Sequence, residues 1–208
     1  MARPHTAKLD KERIRAAALD LVDSDGLAGL SMRKLAAELG ASAPSLYFHY
    51  ATKDDLIEDL EGEVMAPVDT SAFDQGWETG LRTWARSLRA ALATHPNLVP
   101  VLAQGPGHRA SSLQRADDVH GGLVGAGWPP REATMIGAAT KYVVFGAAMG
   151  SFSKGFVDDV AVYAHRYPHL SDAHRIAEHA EQIDRDSFDY ALDAFIVGLR
   201  ARFEALTR

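Results

Sequence analysis

Apolar residues recur at helical spacing along most of the chain, and no stretch alternates convincingly with the period of two that is typical of β-strands. The first such pattern buries Ile14, Ala17, Ala18, Leu21 and Val22. We therefore expect an all-α protein, with helices over about 11–24, 32–39, 43–50, 53–65, 77–92, 97–104, 111–126, 131–156, 173–182 and 186–206, and an irregular segment at 163–170.

Residues 31–50 predict two short helices joined by a tight turn, which is the pattern of a helix-turn-helix. Ser31 can cap the first helix, and Gly40 ends it, because glycine is typical of a helix C-terminus. Ser42 can cap the second helix, with Pro44 in its first turn. Apolar residues at i, i+3, i+4 and i+7 indicate one buried face on the first helix, formed by Met32, Leu35, Ala36 and Leu39.

The second helix of this motif presents aromatic rings on its outer side. Leu46 and Tyr50 share the inner face, which leaves outward Ala43, Pro44, Ser45, Tyr47, Phe48 and His49. Exposed rings are unfavourable in water, but in a DNA groove they can contact thymine methyl groups and sugars. Arg33 and Lys34 place positive charge at the start of the preceding helix, which is unfavourable unless an anion lies close. Both features indicate a DNA-binding face.

The segment from about Leu9 to Met65 resembles the DNA-binding domain of the tetracycline-repressor (TetR) family of transcriptional regulators. The resemblance rests on Ala18-Leu-Asp-Leu-Val22, Gly26, Leu30-Ser-Met-Arg-Lys-Leu-Ala36, Leu39-Gly40, Ser45-Leu-Tyr-Phe-His-Tyr50 and Lys53-Asp-Asp-Leu56. It implies an amino-terminal helix-turn-helix that binds DNA, with Lys53 on a phosphate. The implied DNA-binding residues are Arg33, Ser42, Ala43, Pro44, Ser45, Tyr47, Phe48, His49 and Lys53.

A fourth helix begins at Thr52, which forms a capping-box pattern with Asp55, and Pro67 ends it. The resemblance then divides the chain into a three-helix helix-turn-helix DNA-binding domain at 1–66 and a helical effector-binding and dimerisation domain at 67–208. It also implies a homodimer, held by a four-helix bundle from the helices at 131–156 and 186–206. A two-fold dimer lets two recognition helices reach major grooves about 34 Å apart. The expected contacts are Phe188, Leu192, Phe195, Ile196 and Leu199 against Val143, Gly146, Ala147 and Gly150.

The net charge of −6 contrasts with the basic patches of most DNA-binding proteins. The distribution of charge resolves the conflict. Up to Lys53 there are eight Lys and Arg and six Asp and Glu, so this part is net positive, whereas after Lys53 there are 14 Lys and Arg and 22 Asp and Glu. Met1 to Lys8 is expected to be an arm in which Arg3 and Lys8 either add phosphate contacts or stay unstructured. The absence of cysteine, a polar start without a signal peptide and Lys141 within the apolar run 135–152 favour a cytoplasmic protein with no membrane partner.

The sequence predicts no catalytic site, cofactor or metal. It has no phosphate-binding, hydrolase or kinase motif, and Gly105-Pro-Gly107 is expected to be a loop. Neighbouring acids such as Asp117 and Asp118 do not share a helix face. The polar segment around Pro168 favours surface histidines over metal ligands for His165, His169, His174 and His179.

The effector-binding residues are predicted to be Trp84, Leu88, Val101, Gln104, His120, Leu123, Gly137, Ala138, Lys141 and Tyr142. His120 is equally compatible with a hydrogen-bonded core residue and a ligand contact. Lys141 either snorkels, pairs with an acid, or faces a ligand with a carboxylate or another acceptor, because a buried amine is otherwise costly. The family's residues for magnesium-tetracycline fall near Asp69, Val101 and Trp84, so an apolar or aromatic effector fits better.

These features predict a ligand-responsive regulator, a repressor that binds a palindromic double-stranded DNA operator as a homodimer and is released by a small molecule. The alternative is a DNA-binding regulator controlled by a protein partner, which a filled core without a cavity would favour. An enzyme fused to a DNA-binding module would need a nucleophile and a base, and the sequence indicates neither.

Overall fold

The computed structural model describes residues 9–104, 110–164 and 166–207, so the expected arm, the loop at 105–107 and His165 lie outside the described residues. Every regular element within these ranges is helical, which confirms the all-α fold. The α-helices are α1 Lys11–Gly29, α2 Met32–Glu38, α3 Ala43–Tyr47, α4 Lys53–Met65, α5 Trp77–Thr94, α6 Val99–Leu102, α7 Ala110–Gly125, α8 Pro130–Ala148, α9 Val160–Tyr163 and α10 Ala180–Leu206. Short 3-10 turns occupy Ser71–Gln75, Pro96–Leu98, Ser153–Gly155, Pro168–Leu170, Ala173–Arg175 and Ala177–His179.

The chain divides into two compact units, and α5 contributes to both. The first unit contains 9–67 and 91–104, and the second contains 68–90 and the described residues from 110 onward. The sequence placed 97–104 in the carboxy-terminal domain. These residues instead belong to the first unit, because Leu98 is fully buried in its core and Asn97 donates a hydrogen bond to the carbonyl oxygen of Val22 (2.9 Å).

Local capping signals set the helix ends of the first unit. The hydroxyl of Ser31 accepts a hydrogen bond from the amide of Lys34 (3.2 Å), and Gly40 takes a positive φ of 62° after α2. Thr52 and Asp55 form the expected capping box at α4. Ser42 departs from the prediction, because its hydroxyl donates to the hydroxyl of Ser45 (3.2 Å) and caps no backbone amide.

The second unit packs α5 against α10 and α7 against α8. Arg86 donates to Asp189 (2.9 Å) and Arg200 donates to Glu78 (2.8 Å), while Arg82 pairs with Asp193, so charged contacts fix the α5–α10 register. Gly80 on α5 and Gly122 on α7 make room for Phe73: a Cβ at either glycine would lie within about 2.5 Å of that ring. The second unit also contains an aromatic cluster of Trp77, Trp128 and Phe203, with ring centroids 5.0–5.9 Å apart.

Several predicted boundaries in the second unit are wrong. The helix expected at 131–156 ends at Ala148, because Gly150 adopts a φ of 152° and a 3-10 turn follows at 153–155. The last helix begins at Ala180 rather than at 186. On α7, Val119 and Leu123 are buried, whereas Leu113 and Ala116 are exposed.

The region 130–155 carries an apolar surface that its own chain leaves largely uncovered. By length and composition it is apolar enough to cross a membrane, with a mean hydropathy of 1.2, yet only 17% of that window is buried. On α8 the exposed apolar residues include Met135 and Tyr142, and Met149 follows directly. On α10, Tyr190 and Val197 are similarly exposed, whereas Phe188, Leu192, Ile196 and Leu199 are buried in the chain's own core.

Candidate functional site

The segment formed by α3 and the three residues after it exposes two aromatic rings and buries a third. Leu46 is fully buried and Tyr50, just beyond the helix, is 3% exposed, so both anchor the segment to the core of the first unit. Tyr47 is 50% and Phe48 is 88% exposed, and the half-buried ring of His49 lies edge-on to Phe48 at 5.7 Å. The remaining predicted residues of this face are Ser42 and Pro44, which are exposed, and Ala43 and Ser45, which are half-buried.

A hydrogen-bonded network holds the end of this aromatic face against two other helices. The hydroxyl of Tyr50 donates to Asp59 on α4 (2.6 Å), and Arg15 on α1 donates to the same carboxylate (3.1 Å) and also pairs with Glu63. The ammonium of Lys11 lies 4.9 Å from the centroid of the Tyr50 ring. Sequence reasoning missed this network, since its members are up to 48 residues apart and only their burial and contacts bring them together.

The charges of this network depend on one another. Burial by itself would raise the pKa of Asp59, but the hydrogen bonds from Tyr50 and Arg15 outweigh it and hold that pKa below its ordinary value. Burial, followed by the hydrogen bond to Asp59, raises the pKa of the Tyr50 hydroxyl. Asp59 therefore stays ionised and Tyr50 stays protonated over the range in which proteins bind DNA.

We expect Asp59→Asn to lower the free energy of unfolding by about 1 kcal/mol at neutral pH, because it removes a partly exposed charged contact. Since the pKa of Asp59 is lower in the folded state, its stabilisation is present above the unfolded value of about 3.9 and is lost as the pH falls through the folded value. Urea unfolding of wild type and Asp59→Asn between pH 2 and 7 measures this pH dependence of the free energy of unfolding. Asp20→Asn, on the exposed side of α1, serves as the control. An identical pH dependence for Asp59→Asn and wild type would contradict the assignment.

Arg33, Lys34 and Lys53 lie shortly before and after the aromatic face in the sequence. These three cations differ in their partners. Lys34 pairs with Asp25 on α1, so the anion needed near the start of α2 is supplied by the protein itself. Arg33 is exposed and forms no ion pair with another described residue. Lys53 is the first residue of α4 and is half-buried. Arg33 and Lys53 therefore remain the cations able to meet an external anion.

The predicted effector residues fall into three groups. Trp84, Leu88 and Leu123 are buried in the second unit. Val101 packs against the core of the first unit and Gln104 is exposed there, while Tyr142 is 77% exposed on α8. His120 lies on α7, and Gly137, Ala138 and Lys141 lie on α8, which packs against α7.

Two polar residues of the second unit, His120 and Asp69, have identifiable structural partners. His120 contacts the carbonyl oxygen of Pro130 through Nε2 (3.2 Å). Asp69, near which a drug-binding residue of the family was expected, accepts hydrogen bonds from the amide (2.8 Å) and hydroxyl (2.7 Å) of Ser71, which hold its pKa below its ordinary value. Within the described ranges, no three His, Asp or Glu side chains form a cluster able to hold a metal ion.

Comparisons with known proteins cover both units. Residues 14–60 match the family described as "Bacterial regulatory proteins, tetR family", and 71–203 match "Tetracyclin repressor-like, C-terminal domain". The chain is 34% identical over 143 residues to an HTH-type transcriptional regulator of Saccharopolyspora erythraea, covering 67% of this chain and 59% of that protein. It is 27% identical over 201 residues to the tetracycline repressor protein class E of Escherichia coli, covering 95% and 94% of the two chains.

A solved structure extends the similarity to three dimensions. ActR of Streptomyces coelicolor, in complex with actinorhodin, superposes with a TM-score of 0.72 at 26% sequence identity. The match covers 94% of this chain and 97% of that one. Both halves of the chain therefore have counterparts arranged in the same order in one known protein.

Proposed function

Because the chain belongs to the TetR family of transcriptional regulators, which are not enzymes, we propose that it is a ligand-responsive repressor released from its operator by a small molecule. The exposed aromatic face of α3 is the observation that carries this proposal. We assign DNA binding to residues 1–66 and effector binding and dimerisation to 67–208, with 91–104 completing the packing of the first unit. A regulator of bacterial genes acts beside the chromosome, so we place the protein in the cytoplasm, without a membrane partner.

In this proposal α3 lies in the major groove of double-stranded DNA. Tyr47 and Phe48 supply apolar contact to thymine methyl groups and sugars, and His49 supplies a hydrogen bond. Arg33 reaches a phosphate or a guanine edge, and Lys53 reaches a phosphate from the start of α4. The shorter side chains of the face, Ser42, Ala43, Pro44 and Ser45, allow close approach to the backbone of the duplex.

We expect Lys53→Ala to reduce the slope of log K against log salt for operator binding by about 0.9, since each lost phosphate contact releases one condensed counterion fewer. Fluorescence anisotropy of a labelled operator at several salt concentrations gives the slope. Lys154→Ala, which removes an exposed lysine from the second unit, should leave the slope unchanged. An unchanged slope in Lys53→Ala would contradict the phosphate contact and leave Lys53 only its place at the start of α4.

The dimer of this proposal uses surfaces that differ from those predicted from the sequence. Phe188, Leu192, Ile196 and Leu199 are not available to a partner, because they are buried within their own chain. The exposed face of α10 consists of Tyr190, Ala194, Val197, Gly198 and Ala201 at helical spacing. Together with Met135, Tyr142 and Gly146 of α8, these small and apolar residues suit a four-helix bundle formed with a second copy.

The effector site of this proposal lies in the second unit. Trp84, Leu88 and Leu123 supply the apolar part of its lining, with Gly137, Ala138 and Lys141 from α8, which supports an apolar or aromatic effector. The structure of ActR in complex with actinorhodin shows that a protein of this fold holds a small molecule. Coupling requires that effector and operator weaken each other's binding by the same factor, typically about 5–150-fold.

Selection from a random library of DNA duplexes tests the proposed function directly. We expect the purified protein to enrich an inverted repeat whose half-sites are centred about one helical turn, or a multiple of it, apart. Enrichment of a single half-site would contradict the dimer, and enrichment of no sequence at all would contradict the repressor function. The selected operator then serves in all the operator-binding measurements.

A further inference from the structure

Lys11 is a cation that lies beside the aromatic face of α3 but was not among the residues expected to bind DNA. It is exposed and is the first residue of α1. Its ammonium lies 4.9 Å from the centroid of the Tyr50 ring, and Tyr50 directly follows His49 of the aromatic face. The electrons of such a ring attract a cation to its face. The side chain of Lys11 is therefore held next to the end of the segment that presents Tyr47 and Phe48.

Two acids near Lys11 are engaged by other groups. The carboxylate of Asp10 caps α1 by accepting a hydrogen bond from a backbone amide of the first turn (2.9 Å). Asp59 accepts hydrogen bonds from Tyr50 (2.6 Å) and from Arg15 (3.1 Å). Lys11 itself forms no ion pair with another residue in the ranges that the structure describes. The N–H donors of its ammonium are therefore available to an anion from outside the protein.

The starts of α1 and α4 lie close together at this end of the aromatic face. α4 begins at Lys53, three residues after Tyr50, so the Cα atoms of these two residues are at most about 11 Å apart. α1 begins at Lys11, which contacts the ring of the same tyrosine. A DNA duplex carries one negative charge per about 1.7 Å of its axis. Two lysines from separate helices can therefore each meet a phosphate when α3 enters the groove.

We propose that Lys11 binds a backbone phosphate of the operator, which rests on the proposed function and adds a contact that it does not include. The contact is a charge-assisted hydrogen bond from the ammonium to a phosphate oxygen. It carries no sequence information, but it fixes the register and orientation of α3 on the duplex. Because the ring of Tyr50 already restricts the side chain, less conformational freedom is lost when the phosphate binds.

The test measures, by anisotropy with the full chain and the selected operator, the slope of log K against log salt. Lys11→Gln is expected to reduce the slope by about 0.9 for each bound subunit, and its combination with Lys53→Ala by about 1.8, since each lysine meets its own phosphate. Lys11→Arg should restore the slope, because a guanidinium also stacks on an aromatic ring and binds phosphate. Lys154→Gln removes an exposed lysine of the second unit and is the matched control, for which no change is expected.

Operators that each carry one neutral methylphosphonate locate the phosphate. At the position that Lys11 contacts, the replacement should weaken binding by wild type and cause no further loss in Lys11→Gln. An unchanged slope in Lys11→Gln, with or without a change in its thermal unfolding, or the lack of any such position would overturn the Lys11 contact and leave operator binding by wild type intact. If wild type selects no sequence but its slope on random DNA still depends on Lys11, the contact stands and the repressor function is wrong.

Discussion

Replacement of Val197 by Glu is expected to give a folded monomer that has lost most of its affinity for the operator. Val197 is 57% exposed on α10, on the side opposite Leu192 and Leu199, so a glutamate there points into water in the isolated chain. In the proposed dimer the same glutamate would be buried against the partner without a cation, at a cost of several kcal/mol. Two linked half-site contacts give an operator affinity about 10²–10⁴-fold higher than one contact alone, and the variant loses that gain.

Sedimentation equilibrium measures the mass of the variant, and circular dichroism measures its helix content. Thr79→Glu, at an exposed position of α5, is the matched control and should remain a dimer with wild-type operator affinity. A stable dimer of Val197→Glu would place the interface elsewhere, and the exposed apolar residues around Phe152 and Val160 would then be the next surface to examine. An unfolded Val197→Glu would contradict the assignment of Val197 to the surface.

Removal of the Tyr47 ring is expected to weaken operator binding by about 1–3 kcal/mol, which is about 5–150-fold, without changing the stability of the fold. Half of the Tyr47 side chain is exposed, and it is absent from the buried core that contains Leu46 and Tyr50. Tyr47→Phe separates the ring from its hydroxyl: if apolar contact dominates, that variant should keep most of the affinity.

Titration of the selected operator by anisotropy, together with thermal unfolding of each variant, checks this expectation. Tyr167→Ala removes a ring of similar exposure from the second unit and should bind the operator as wild type does. If Tyr47→Ala binds with wild-type affinity, the aromatic face of α3 is not the DNA-reading surface, and the repressor proposal loses its main support.

The features that the sequence predicted correctly are those encoded within one or two helical turns. Ser31 next to the start of α2, Gly40 after its end and the Thr52–Asp55 pair each act on the backbone within three residues of themselves. The apolar stripe of α5 was also recognisable, because a single buried face repeats with the helical period. Such signals require no knowledge of what the helix packs against.

The features that the sequence left open depend on partners far along the chain. Both faces of α10 are apolar, so periodicity alone could not decide that Leu192 belongs to the core and Val197 to the surface. Lys141 stood out in the sequence as a charge within an apolar run, but its surroundings did not, because they depend on how α7 packs on α8. The DNA-binding and effector residues remain predictions, which the experiments above decide.

The burial of Leu98 in the first unit limits how freely evolution or engineering can exchange the halves of this protein. A DNA-reading half cut after Ala66 would lack Leu98, and removing a buried leucine of this kind costs about 2–5 kcal/mol, a large share of the stability of a small domain. Residues 1–66 therefore cannot be transferred alone as a stable domain. A chimaera that joins residues 1–66 to the effector half of another regulator takes its counterpart of Leu98 from the donor, and only donors with a similar apolar side chain there would give a folded hybrid.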